Sequence, residues 1–71
     1  MLAQRLRAAL KERGWTVREF QRRSGVPYDT LYNLVSGRRK DPHLSIITKL
    51  ARTLGVSIDS LADDEEEEHA A

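Results

Sequence analysis

The chain has 71 residues and no cysteine, so it is one small domain without a disulfide framework or a thiolate metal site, which fits a reducing cytoplasm. A chain this size buries only about 60% of the surface its unfolded form exposes, so caps and turns must help a small core. No apolar run approaches the ~20 residues of a membrane span, and the N-terminal MLAQRLRAAL lacks the continuous apolar stretch of a secretory signal.

The net charge of +1 hides an asymmetry. Residues 1–62 carry all 12 Lys/Arg against five acids, a balance of +7, whereas residues 63–71 (DDEEEEHAA) carry six acids and no Lys or Arg, a balance of −6. The expected organisation is therefore a basic globular domain over 1–62 and an acidic disordered tail over 63–71.

Four glycines each follow a helix-like run, and glycine is the usual residue just past a helix end. Helix 1 is predicted over about 2–13, with Leu2, Leu6 and Leu10 on one face and Arg5, Arg7 and Lys11 off it. Helix 2 opens on Thr16-Val-Arg-Glu19, a capping box in which Thr16 accepts from the residue 19 N–H and Glu19 reaches back to residue 16. Trp15 and Phe20 are placed to form the accompanying hydrophobic staple, which makes Trp15 a packing residue. Helix 2 then runs to about Ser24.

Gly25-Val26-Pro27 reads as a turn, with Pro27 at the first position of helix 3, where its missing N–H costs nothing. Helix 3 runs to Ser36. Leu31, Leu34 and Val35 form its apolar stripe, leaving Tyr28, Asp29, Tyr32 and Asn33 on another side. The polar loop RRKDPH follows. Helix 4 spans about 44–54, with Ile47, Leu50, Ala51 and Leu54 at i, i+3, i+4, i+7. Gly55 ends it, and Ser57 caps a fifth helix over about 58–62. No strand pattern occurs.

Two short helices joined by a turn of about three residues form a helix-turn-helix, whose second helix can lie in the major groove of duplex DNA. Here the chain resembles the Cro- and phage-repressor-type (XRE) family. The matching stretches are LRAALKERGWTVREF, SGVPYDTLYNLVSGRR and DPHLSIITKLARTLGVSIDSL, which together cover nearly the whole expected domain. The resemblance implies an all-α, compact five-helix, lambda-repressor-like bundle with the helix-turn-helix in helices 2 and 3. It also implies sequence-specific double-stranded DNA binding, usually as a homodimer on a two-fold-symmetric site, and repressor-like transcriptional control in a bacterial or phage-type cytoplasm. The chain departs from the family pattern at Val17, where a phosphate-touching glutamine is common, at Gln21, usually alanine, and at Pro27 and His43, where hydroxyl residues are common.

By the same resemblance, the base-facing positions are Tyr28, Asp29, Tyr32 and Asn33. Asn33 has the donor and acceptor needed to pair bidentately with adenine N6/N7; solvent exposure without contact is the alternative. Tyr28 can donate to a phosphate or lie against a thymine methyl, or cover the turn. Tyr32 can contact DNA or pack. Asp29 has three roles open: stabilising the helix N-terminus, accepting from cytosine N4, or pairing with Arg22 or Arg38. The expected phosphate ligands are Arg18, Arg38, Arg39 and Lys40, with a solvated loop as the alternative for the last three.

No enzyme, metal or cofactor is expected. His43 and His69 are isolated, without metal-ligand spacing; Ser24, Ser36 and Ser57 sit at helix ends; and there is no Gly-rich phosphate loop. The rival class is an antitoxin or adaptor module whose main partner is another protein. The acidic tail fits a solubilising linker, a competitor for the basic surface, or part of a partner site. Ile46, Ile58 and Leu61 are candidates for a two-fold contact, with core packing the preferred role of Ile58 and Leu61.

Overall fold

A computed structural model describes residues 2–61. The expected acidic tail, His69 and the boundary after residue 62 lie outside the described residues. The described chain is all-helical: α1 (Leu2–Arg13), α2 (Val17–Ser24), α3 (Tyr28–Ser36) and α4 (Leu44–Leu54), then a last helical turn, α5, over 58–61. The five-helix bundle read from the sequence is what forms.

The core follows the apolar stripes. Leu2, Leu6 and Leu10 of α1 are buried with Phe20, Leu31, Leu34, Leu50, Ala51, Leu54 and Leu61. Helix α3 packs between α1 and α2, and α2 also packs on α4. Val26, in the turn between α2 and α3, is fully buried. That turn is therefore pinned to the core by its own middle residue, which fixes the direction in which α3 leaves α2. Among the described residues no buried residue is polar or charged, so the core depends on apolar burial alone, at roughly 25 cal/mol per Å².

The helix ends explain most of the boundaries. The Glu19 N–H donates to Thr16 Oγ1 at 3.1 Å, the expected cap of α2. The other half of the capping box does not form. The Glu19 carboxylate instead accepts from Arg22 and from Arg23 Nε, the latter at 2.7 Å. Two cations at i+3 and i+4 outcompete one backbone N–H that water can satisfy. The staple is present, with the Trp15 and Phe20 ring centres 6.3 Å apart.

Pro27 stands one position earlier than expected. Its ψ of 143° is extended, so it is the N-cap and α3 begins at Tyr28. Its carbonyl still accepts the first helical bond, from the Leu31 N–H at 3.1 Å. His43 occupies the N-cap of α4 without a side-chain cap bond, whereas Ser57 does cap α5, accepting from the Ser60 N–H at 3.2 Å. Ile58 departs from its preferred core role. It is 38% exposed while Leu61 is buried, although i, i+3 spacing puts the two on the same side of the turn.

Two arginines of α1 tie the bundle together. Arg7 Nη1 donates to the Val35 carbonyl at 2.6 Å, and Arg13 Nη2 donates to the Leu54 carbonyl at 2.5 Å. Both reach unsatisfied carbonyls in the last turns of other helices, where a positive charge also opposes the helix dipole. Neither role has a local sequence signature, and neither was expected.

Candidate functional site

The apolar residues of α3 all face inward. Leu31 and Leu34 are fully buried, and Val35 packs against the core. This geometry leaves the opposite side of α3 for display. Tyr28 is 38% exposed and Tyr32 47%; Asp29 is exposed and Asn33 half-buried. Together with Arg38 they line one open depression. The four expected base-facing residues thus come together on a single surface with one of the expected phosphate ligands.

The four residues form two rows at i, i+4 spacing. One row is aromatic. The Tyr28 and Tyr32 rings stack with centres 6.2 Å apart and planes 23° from parallel. The other row, Asp29 and Asn33, is polar. Arg18 of α2 reaches across to the aromatic row, its guanidinium carbon 4.9 Å from the centre of the Tyr28 ring. The contact joins the two helices of the motif on their exposed side, as Val26 joins them on the buried side.

Asp29 has neither a hydrogen-bond nor an ion-pair partner among the described residues. The pairing with Arg22 does not form, since Arg22 is held by Glu19; Arg38 shares the depression but makes no ion pair with Asp29. Asp29 is nonetheless in the first turn of α3, where the helix dipole favours a carboxylate. Thus its local stabilisation comes from the helix itself, and its oxygens face outward.

The loop after α3 is anchored at its root. Gly37 takes φ 88°, a left-handed conformation, and its ideal Cβ position would lie 3.7 Å from Ala3 Cβ of α1. The Arg39 N–H then donates to the Asn33 carbonyl at 3.0 Å. Arg38 and Lys40 are exposed and Arg39 half-buried. This bond sets the cationic loop beside the exposed side of α3. Val17, where a phosphate contact is common in similar proteins, packs against the core instead.

Elsewhere on α2, Arg23 lies over the Trp15 ring at 4.5 Å while its Nε holds Glu19. Glu19 is held below the ordinary carboxylate value chiefly by the hydrogen bond from Arg22, assisted by Arg23 and opposed by partial desolvation. Arg22 and Arg23 are therefore engaged within the protein, which separates them from Arg38 and Lys40. No group of three or more His, Cys, Asp or Glu among the described residues is arranged to hold a metal ion, and no described helix is long and apolar enough to cross a membrane.

An all-helical domain whose second and third helices, joined by a buried turn, leave one polar side exposed is a helix-turn-helix domain. The helix-turn-helix family model matches residues 6–61, and the chain belongs to that family, in its Cro/C1-type (XRE) branch. It is 42% identical over 45 residues to an uncharacterised HTH-type transcriptional regulator of Methanocaldococcus jannaschii, a stretch covering 63% of this chain and 25% of that protein. It is 27% identical over 67 residues to the HTH-type transcriptional regulator SinR of Bacillus subtilis, covering 94% of this chain and 60% of SinR. The chain thus spans from a quarter to three-fifths of the length of these relatives. No solved structure matches it at the same significance.

Proposed function

We propose that this protein is a sequence-specific, double-stranded-DNA-binding transcriptional regulator, repressor-like in action, that reads the major groove with α3. Tyr28, Asp29, Tyr32 and Asn33 contact base edges, while Arg18, Arg38, Arg39 and Lys40 grip phosphates on either side. The observation that carries this reading is the open surface shared by Tyr28, Asp29, Tyr32, Asn33 and Arg38. None of the four α3 residues belongs to the core, so their side chains are available to a partner. The groove, about 12 Å wide, admits one helix. Family membership supports DNA as that partner, and the description of both relatives as transcriptional regulators supports the regulatory role.

Residues 1–62 act as the binding unit and 63–71 as an acidic appendage. Binding as a homodimer on a two-fold-symmetric site, in the cytoplasm, completes the proposal, because a single small module buries limited DNA surface. Selection from random duplexes tests it. Enrichment of a palindrome with half-sites about one helical turn apart supports both reading and dimerisation. Enrichment of a lone half-site supports reading by a monomer. No enrichment of any duplex overturns the proposal in favour of a protein partner, as in an antitoxin or adaptor.

A further inference from the structure

Helix α3, YDTLYNLVS, contains no lysine or arginine. This matters because Arg or Lys against guanine O6/N7 is the commonest specific contact in the major groove. The surface it presents instead has a definite chemical character. Asp29 is a carboxylate that only accepts hydrogen bonds, and it pairs with none of the described residues. Asn33 both donates and accepts. Tyr28 and Tyr32 offer a stacked aromatic wall, kept in place by the Arg18 guanidinium 4.9 Å from the Tyr28 ring centre. Arg38, the cation among the described residues that line the depression, follows the end of α3 beyond Gly37. When a recognition helix meets base edges with its N-terminal residues, that position lies toward the groove rim and its phosphates.

Resting on the DNA-reading proposal above, we infer that the half-site is recognised through amino groups and thymine methyls, and not through the acceptor edge of guanine. A base pair that turns an amino donor toward Asp29, cytosine N4 or adenine N6, meets a free carboxylate. A guanine at that place presents N7 and O6, two acceptors against two acceptors. The contact then desolvates all four without a hydrogen bond, which is the unfavourable case for buried polar groups. Because cytosine is always paired with guanine, Asp29 selects the orientation of a C·G pair as well as its composition. Asn33 matches adenine N6/N7, and the two rings supply apolar area for the 5-methyl group of thymine. Each i, i+4 row spans about 6 Å of helix, close to two base-pair steps of about 3.4 Å each, so the two rows together cover a short run of adjacent pairs.

The test uses the full chain and a duplex obtained by selection. The pairs beneath α3 are identified as those whose preference changes with Asp29→Asn or Asn33→Ala, two substitutions at positions outside the core. Single atoms are then removed from those pairs. Thymine→uracil deletes only the methyl, adenine→purine only the N6 amino group, and guanine→7-deazaguanine only the N7 acceptor. The expected result is a loss of about 5-fold or more for the first two, the lower end of what one good contact contributes, and less than about 2-fold for 7-deazaguanine. Asp29→Asn raises the relative affinity of a guanine at its position by about 5-fold or more. A selected site that loses about 5-fold or more with 7-deazaguanine, or whose rejection of guanine survives Asp29→Asn, overturns this assignment of base edges and leaves DNA reading intact. Failure to select any duplex overturns both.

Discussion

The Arg18 guanidinium carbon lies 4.9 Å from the centre of the Tyr28 ring, bridging α2 and α3 on the exposed side of the motif. Such a contact at a surface contributes about 0.5–1 kcal/mol. It also leaves guanidinium N–H groups free to meet a phosphate while the plane faces the ring. Arg18→Ala is therefore expected to lower stability by no more than about 1 kcal/mol. Its larger effect falls on DNA affinity, across all sequences, with a salt slope reduced by about one. Titrations against specific and unrelated duplexes at several salt concentrations check this. An affinity loss confined to the specific duplex assigns Arg18 to ring positioning alone.

The cationic loop makes a sharper prediction about salt. Arg39 is tied through its backbone N–H to the Asn33 carbonyl at 3.0 Å, so Arg38, Arg39 and Lys40 begin from a fixed point beside α3. If these three and Arg18 each neutralise one phosphate, log affinity falls against log salt with a slope of about −4 per subunit. Replacing Arg38 and Lys40 by alanine brings it to about −2. A slope near zero for the unmodified chain removes phosphate gripping from the account.

How much of this was readable beforehand depends on how local each determinant is. The cap at Thr16, the staple of Trp15 on Phe20 and the burial of Leu31 and Leu34 each involve residues within a few positions, so spacing alone reveals them. The exposure of Tyr28, Asp29 and Tyr32, with Asn33 half-buried beside them, follows as the complement of that apolar stripe. The long side chains were not legible. Arg13 bonds the carbonyl of Leu54, 41 residues away, and Arg7 that of Val35, 28 residues away; only the assembled bundle brings these atoms together. Arg18 over Tyr28 depends on the angle between two helices, which the buried Val26 fixes and no periodicity reports. Glu19 had two local options, and the choice turned on two cations against one N–H. The expected packing of Ile58 failed although its spacing to Leu61, i, i+3, places the two on the same side of the turn; the bundle covers Leu61 and leaves Ile58 partly exposed, which spacing does not report.

Glu19 gives a pH dependence of definite sign. Its folded pKa is depressed, first by the hydrogen bond from Arg22, so the unfolded chain binds its proton more readily. The contribution is then fully present above the unfolded pKa and is lost as pH falls through the lower folded value. Glu19→Gln is expected to reduce the unfolding midpoint slightly at neutral pH, with the gap from the unmodified protein closing in acid below the ordinary carboxylate range. Thr16→Ala, in contrast, removes an uncharged cap worth about 1 kcal/mol and shifts the midpoint equally at both pH values. Thermal melts of the two variants across that range separate the effects; a gap that stays constant for Glu19→Gln rules out the ion pairs as its cause.

Arg13 is the strongest case of a charged residue serving the fold instead of a partner. Its two terminal nitrogens donate to the Ala9 carbonyl at 3.0 Å and the Leu54 carbonyl at 2.5 Å, and its guanidinium carbon is 5.8 Å from the Trp15 ring centre. The side chain is only 27% exposed, so the carbonyls it serves are partly shielded from water. A hydrogen bond from a charged donor contributes about 1.5–3 kcal/mol, against a total of roughly 4–10 kcal/mol for a domain of this size. Arg13→Met retains much of the stem but removes both bonds. It is expected to cost at least about 1.5–3 kcal/mol, the contribution of one such bond, in urea unfolding while leaving the DNA salt slope unchanged. Arg38→Met should do the reverse: its side chain is exposed and holds no carbonyl, so stability stays within about 0.5 kcal/mol while the slope drops by about one. The pair of variants separates cations that hold the bundle together from cations that face outward, a distinction net charge alone does not make.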